Sequence, residues 1–202
     1  MNELAQAFSV YYAEMDRCEQ AGAYWALLHL VLVLPDICAS LESGNDAKVG
    51  ERYAKWCGEH FQTNADLTPV DRYQIRNAVL HEGSTLPNKS QYSSISFVEP
   101  RAADHEVHQN VTTNADGKNL TLDVKQLSDE TRTAMGHWFE ALQHDEKRNE
   151  LVGSRLDRVA RLQTKEAHIP IVTADGDQIL TADGDVLGFT MKFPTTSSTG
   201  GR

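Results

Sequence analysis

The stretch Ala21-Gly-Ala-Tyr-Trp-Ala-Leu-Leu-His-Leu-Val-Leu-Val-Leu-Pro-Asp-Ile-Cys-Ala-Ser-Leu41 decides the fold. Residues 21–34 carry no Asp, Glu, Lys or Arg and are apolar nearly all round. That pattern belongs to a helix enclosed by others, not to a surface helix with one wet face. The run is about one-third short of the ~20 residues that a membrane span needs, and Pro35 ends it, so a central bundle helix and no membrane association are expected. Pro35 has no N–H to donate and predicts a kink or a division there, with Asp36 near the start of the second piece.

Working outward, residues 2–19 repeat apolar groups at Leu4, Ala7, Phe8, Tyr11 and Met15, which is helical spacing. Ser43-Gly44-Asn45-Asp46 reads as a turn. A third helix is expected over 48–62, with Tyr53, Trp56, Cys57 and Phe61 inward. A fourth opens at Thr68-Pro69: Thr68 suits an N-cap, Pro69 the first helical position, and Asp71 adds a negative charge to the first turn. Gly83 suits its C-terminal stop. His29 is expected as a hydrogen-bonded core histidine, and Trp25, Trp56 and Trp138 as core residues.

The texture then changes. Residues 92–98, 106–112 and 119–124 read as short strands, with a turn at Asn114-Ala115-Asp116-Gly117. Ser128 is expected to cap a long helix reaching about Lys165, with Gly136 and Gly153 as its weak points. A repeat follows, Thr173-Ala174-Asp175-Gly176-Asp177 and Thr181-Ala182-Asp183-Gly184-Asp185. Strands at 169–172, 178–180 and 186–193 around those turns predict a three-stranded meander. The expected fold is therefore α+β: an N-terminal helical bundle over 1–90; an antiparallel β segment, a long helix and a C-terminal meander over 91–194; and a disordered tail over 195–202.

Length and charge bound the function. A chain of 202 residues can bury a core without metal or disulfide staples. Its net charge of −10 does not favour nucleic-acid binding over the whole surface, because phosphate neutralisation needs Lys and Arg. Three cysteines, Cys18, Cys38 and Cys57, form no CxxC pair and suit reduced thiols. The first residues have neither a basic region nor a long apolar run, so no signal peptide and a cytoplasmic location are expected.

One segment carries a chemical pattern: Tyr73-Gln74-Ile75-Arg76-Asn77-Ala78-Val79-Leu80-His81. On an α-helix Asn77 and His81 share a face at i and i+4. Arg76 lies about 140° from His81 at ~100° per residue, so its long side chain must reach around. The three can then converge on one anion, and a two-fold interface would double the set.

Here the first ninety or so residues resemble the HEPN superfamily, whose hallmark is Arg, four to six residues, then His, often with a polar residue directly after the Arg. Many HEPN proteins are metal-independent ribonucleases, toxins or antiviral effectors that act as dimers. The resemblance implies a homodimer with RNA as substrate, a possible cognate antitoxin, and no metal or cofactor. It makes His81 the general acid/base, Arg76 the stabiliser of phosphoryl charge, and Asn77 an orienting group. Other members only bind RNA, a nucleotide or a protein partner, and an Arg76 buried against carboxylates would favour that alternative. The purely structural alternative pairs Arg76 with Asp71 or Glu82 and places His81 as a C-terminal cation.

Arg72 and Tyr73, beside the motif, are candidate RNA contacts. So are Arg155, Arg158, Arg161 and Lys165, which with Arg148 would form a basic stripe of about 140° on one long helix. Its plain alternative is a solvated helix face. The Asp-Gly repeats suit tight turns rather than calcium loops, which need alternating ligands and a closing Glu. Cys57 with His60 does not complete a zinc site, nor do His105 with His108 or His137 with His144. No Walker loop, dinucleotide fingerprint, nucleophile elbow or HExxH pattern occurs.

Overall fold

A computed structural model describes residues 2–43, 47–62, 65–100, 107–159, 163–170 and 188–195. The chain divides into two compact units, Met1–Arg158 and Val159–Arg202. The first is α+β: among the described residues it holds six helices and a three-stranded mixed sheet.

Helix α1 (Asn2–Gln20) is followed by α2 (Tyr24–Ser43), the apolar stretch that organises the bundle. Helix α2 packs against α1, α3 (Val49–His60), α5 (Val124–Gln143) and α6 (Glu146–Gly153). Among the described residues it is the one helix long and apolar enough to cross a membrane, and half of that apolar window is buried within the fold. Of the kink or division expected at Pro35, the division does not occur, and one helix runs through the proline. Tyr53 of α3 donates its hydroxyl to the Leu32 carbonyl at 3.3 Å, beside the carbonyl that loses its partner to the proline. Phe8, Trp56 and Trp138 knit α1, α3 and α5 together, with the Phe8 and Trp56 rings 5.5 and 6.3 Å from that of Trp138. Trp25 departs from the expected core set: it is 57% exposed. His29 is only half-buried, and its Nδ1 bonds the Trp25 carbonyl at 2.8 Å.

Helix α4 (Pro69–Asn77) begins as its sequence predicts. Thr68 accepts the Asp71 N–H, and the Asp71 carboxylate accepts the Thr68 N–H, a reciprocal capping box with Pro69 at the first helical position. The helix then opens into a π-turn over Ala78–Glu82. Gly83, at φ 60° and ψ 28°, ends it in the left-handed conformation, its N–H bonding the Ala78 carbonyl.

The sheet has the order β1-β3-β2, with β1 (Ser94–Val98), β2 (Asn110–Asn114) and β3 (Gly117–Asp123). The expected antiparallel segment is in fact mixed: β2 and β3 form the hairpin, but β1 runs parallel to β3, Ser94 opposite Asn119 and Val98 opposite Asp123. The reason is topological. After β1 the chain passes to the far edge of β3 and reverses twice, which returns β3 to the direction of β1. Leu120 and Leu122 of this central strand are buried.

Two helix boundaries also differ from expectation. Asp123, not Ser128, caps α5 by accepting the Gln126 N–H at 2.9 Å. Ser128 is buried inside that helix and donates to Glu19 of α1 at 2.8 Å. The long helix is interrupted as well: α5 ends at Gln143, Asp145 caps α6, and a 3-10 turn over Leu156–Arg158 follows.

In the second unit β4 (Gln163–Pro170) pairs antiparallel with β5 (Gly188–Thr195), from Gln163 opposite Thr195 to Pro170 opposite Gly188. Lys165 therefore lies on a strand, not on the expected helix. The Asp-Gly repeats, the expected middle strand and residues 196–202 lie outside the described residues.

Candidate functional site

Three elements build the Arg76 site. Helix α4 supplies Arg76 and Asn77, the π-turn supplies His81, and α2 supplies Asp36. Arg76 is buried, with 9% of its surface exposed, whereas Asn77 is half-buried and His81 exposed. A nine-tenths buried guanidinium needs a counter-charge. Asp36 Oδ2 provides it, 2.7 Å from Arg76 Nη2. Arg52 of α3 approaches the other Asp36 oxygen at 3.4 Å. Neither Asp71 nor Glu82, the carboxylates nearest in sequence, pairs with Arg76.

The other terminal nitrogen does different work. Arg76 Nη1 donates to Asn77 Oδ1 at 3.0 Å and meets His81 Nε2 at 2.6 Å. A guanidinium has no acceptor, so in this contact Arg76 is the donor and His81 Nε2 the acceptor. The Arg76 Nε is buried without a partner among the described residues. The three motif residues thus come together around a single guanidinium edge. The π-turn makes this possible: it closes its hydrogen-bonded loop at i→i+5, so the fifth residue after Arg76 takes the place that the fourth holds in an α-helix.

Asp71 serves the scaffold under this site. It is buried and accepts from Thr68, from Ser90 Oγ at 2.7 Å, and from Gln91 through its backbone at 3.1 Å and its side chain at 2.8 Å. Burial pushes the Asp71 carboxyl up, but these hydrogen bonds outweigh it and hold it below its ordinary value.

The remaining candidates lie elsewhere. Arg72 is buried, stacks over the Phe61 ring at 3.9 Å and pairs with Glu130 of α5 at 2.7 Å. Tyr73 packs beside Tyr53, with ring centroids 5.7 Å apart, and against Gly50, where an added Cβ would lie 2.7 Å from its ring. Arg155 donates to the Leu41 and Glu42 carbonyls at 2.8 and 2.7 Å. Helix α2 has no basic residue in its own last turn, and Arg155 supplies that cation from another segment. Arg148 pairs with Glu42 and Glu59 at 2.6 and 3.0 Å. No continuous stripe forms on one helix, because α6 ends at Gly153 and Lys165 is on β4. The Arg158 side chain and Arg161 lie outside what is described.

Sequence reading missed two features. In the sequence Asp36 stands out only for its place after Pro35, since nothing in spacing links it to a motif forty positions away. Glu42, Glu59 and His60 also converge, with ligand atoms within 4.8 Å of one another. That group already holds a cation: Glu42 accepts from Arg148 at 2.6 Å and from Trp138 Nε1 at 2.7 Å.

No family model matches this chain, and comparison with curated proteins and with solved structures finds no significant match.

Proposed function

We propose that the helical part of this chain is HEPN-like and that it is a metal-independent endoribonuclease, cytoplasmic and homodimeric, of the kind used as toxins or defence effectors. One observation carries the reading: Arg76 Nη1 lies within hydrogen-bond reach of both Asn77 Oδ1 and His81 Nε2 at an exposed histidine. The geometry supports it without help from any relative.

An RNA phosphate entering beside His81 would draw Nη1 of Arg76 onto a non-bridging oxygen, as a forked, permanently charged donor does. Nε2 of His81 would then be released to take the proton of the ribose 2′-OH. The 2′-oxygen attacks phosphorus and the bond from phosphorus to the 5′-oxygen breaks. The departing 5′-oxygen takes up a proton from water, and His81 releases the one it gained, so the imidazole returns to its starting state. The products are a 2′,3′-cyclic phosphate and a 5′-OH. Asp36 fixes the guanidinium from behind, so the donor arrives already oriented.

The dimer reading draws support from an open groove of about 600 Å³ lined by α1, α2 and the π-turn, with Cys18, Ala26, Leu30, Val33 and Leu80 in its wall. Leu80 is the residue before His81, so a second copy seated there would bring two motifs towards each other.

A second reading has its own observation. Arg76 is buried and ion-paired to Asp36, which suits a site that binds a phosphate or a partner without cleaving. RNA cleavage in EDTA by wild type, Arg76→Ala and His81→Ala decides between them. Cleavage by wild type alone, with cyclic phosphate ends, supports the ribonuclease. Equal cleavage by all three refutes it, and RNA binding without cleavage favours the second reading, with a basic protein such as an antitoxin as a further candidate partner for an acidic chain.

A further inference from the structure

A second cavity, of about 520 Å³, lies between the C-terminal end of α3, helix α4 and the first turns of α5. Its volume falls in the range of small-molecule sites. Its walls are polar but their charges are matched. Arg72 pairs with Glu130, and Asp129 is held by Lys125 at 2.5 Å. Glu130 is saturated: besides Arg72 it accepts from His108 Nε2 at 3.0 Å and Gln109 Nε2 at 2.5 Å. Burial pushes the Glu130 carboxyl up, but these donors hold it below its ordinary value. His108 is likewise committed, its Nδ1 accepting the Asp123 N–H at 3.1 Å.

What remains to meet a ligand is specific. The Arg72 guanidinium carbon lies over the Phe61 ring, 3.9 Å from its centroid, and both residues line the cavity. The side-chain amides of Gln62 and Gln126 line it too, and among the described residues nothing pairs with them. An amide presents a donor and an acceptor side by side, which matches the adjoining acceptor and donor on the edge of a nucleobase. Arene and guanidinium planes are the surfaces on which unpaired bases stack. The matched charges disfavour a phosphate in this cavity, and the saturated carboxylate leaves little for the hydroxyls of a sugar.

We propose that this cavity binds an uncharged nucleobase, with Phe61 and Arg72 as the stacking wall and Gln62 and Gln126 reading its edge. None of Arg76, Asn77 and His81 lines this cavity, and the proposal does not depend on the ribonuclease reading.

The test uses the full chain and the four ribonucleosides, which carry no phosphate, with free ribose as control. Saturation-transfer NMR and calorimetry measure binding to wild type, Gln62→Leu, Gln126→Leu and the double variant. Both positions are on the cavity wall rather than in the core, and circular dichroism verifies that the variants fold. At least one nucleoside is expected to bind at millimolar affinity or better, with ribose not binding. Each single variant should weaken it by about tenfold, the value of one lost hydrogen bond to a buried base. Absence of nucleoside binding at millimolar concentration, equal binding of ribose, or unchanged affinity in the double variant each overturns the proposal.

Discussion

Replacing Asp36 by alanine tests whether the Arg76 site is held from behind. Asp36 and Arg76 have side-chain exposures of 14% and 11%, and the bond between them is 2.7 Å. At an effective dielectric of about 20, their attraction is about 6 kcal/mol. Desolvation of both ions offsets much of that, so the pair as a whole contributes little net stability. Removing one partner is different, because the surviving ion stays buried. Arg76 would keep only Asn77 and His81, neither of them anionic. The expected loss is about 3–5 kcal/mol.

Urea unfolding followed by circular dichroism reads this directly. With a slope of about 2 kcal/mol per molar, the midpoint should fall by about 2 M. A cycle of Asp36→Ala, Arg76→Ala and the double variant should show a coupling above about 1 kcal/mol, because the double variant has no stranded cation at position 76. The same Asp36→Ala chain should lose RNA cleavage or binding even where it remains folded in buffer, since the guanidinium is no longer aimed. A midpoint shift below about 0.5 M together with an additive cycle would show that the ion pair does not position Arg76.

Asp71→Ala strands the donors of Thr68, Ser90 and Gln91 and should cost about 2–4 kcal/mol in the same urea assay. The pH dependence of stability follows from two shifts of known sign. Asp71 is held below its ordinary value of 3.8 in the fold, so its contribution is complete above that value and vanishes as pH falls through the folded-state value. Burial keeps the His60 value below 6.5, so the unfolded chain binds that proton first, and stability should decline as pH drops from 6.5 through the folded value. His60→Gln should flatten that part of the profile, and an unchanged slope would refute the assignment. Gly117→Ala meets Ser93 Oγ at 2.0 Å and must hold φ at 120°, so a loss of about 1–3 kcal/mol is expected by thermal or urea unfolding.

Much of the helical framework was legible because local chemistry set it. The uncharged run from Ala21 announced a central helix, and Thr68, Pro69 and Asp71 wrote the start of α4 in order. The three strand regions were legible, the first by its alternation, yet their pairing was not. A parallel β1 and β3 arise from the path between them, and that path has no signature in either strand. The basic stripe failed for the same kind of reason. Helical periodicity computed through Gly153 assumed a continuity that Asp145, as a fresh N-cap, already contradicts. Arg148 and Arg155 then turn inward because α2 ends without a cation of its own, a demand placed by a distant segment.

The Arg76 site shows how local and distant causes combine. Read on an α-helix, the spacing from Arg76 to His81 is wrong by about 140°, and only a long side chain reaching around could mend it. The structure instead changes the helix. A π-turn over Ala78–Glu82 absorbs one residue, and Gly83 can close it only because glycine accepts a φ of 60° at no cost. π-turns are uncommon and concentrate at functional sites, since a widened turn forgoes regular α-helical packing. Here it brings an imidazole nitrogen to 2.6 Å from a guanidinium that Asp36 holds in place. A fold needing only a helix terminus at this point has no use for that arrangement, because Gly83 could end a regular α-helix equally well. The gathering of Arg76, Asn77 and His81 therefore rests on the turn as much as on their spacing.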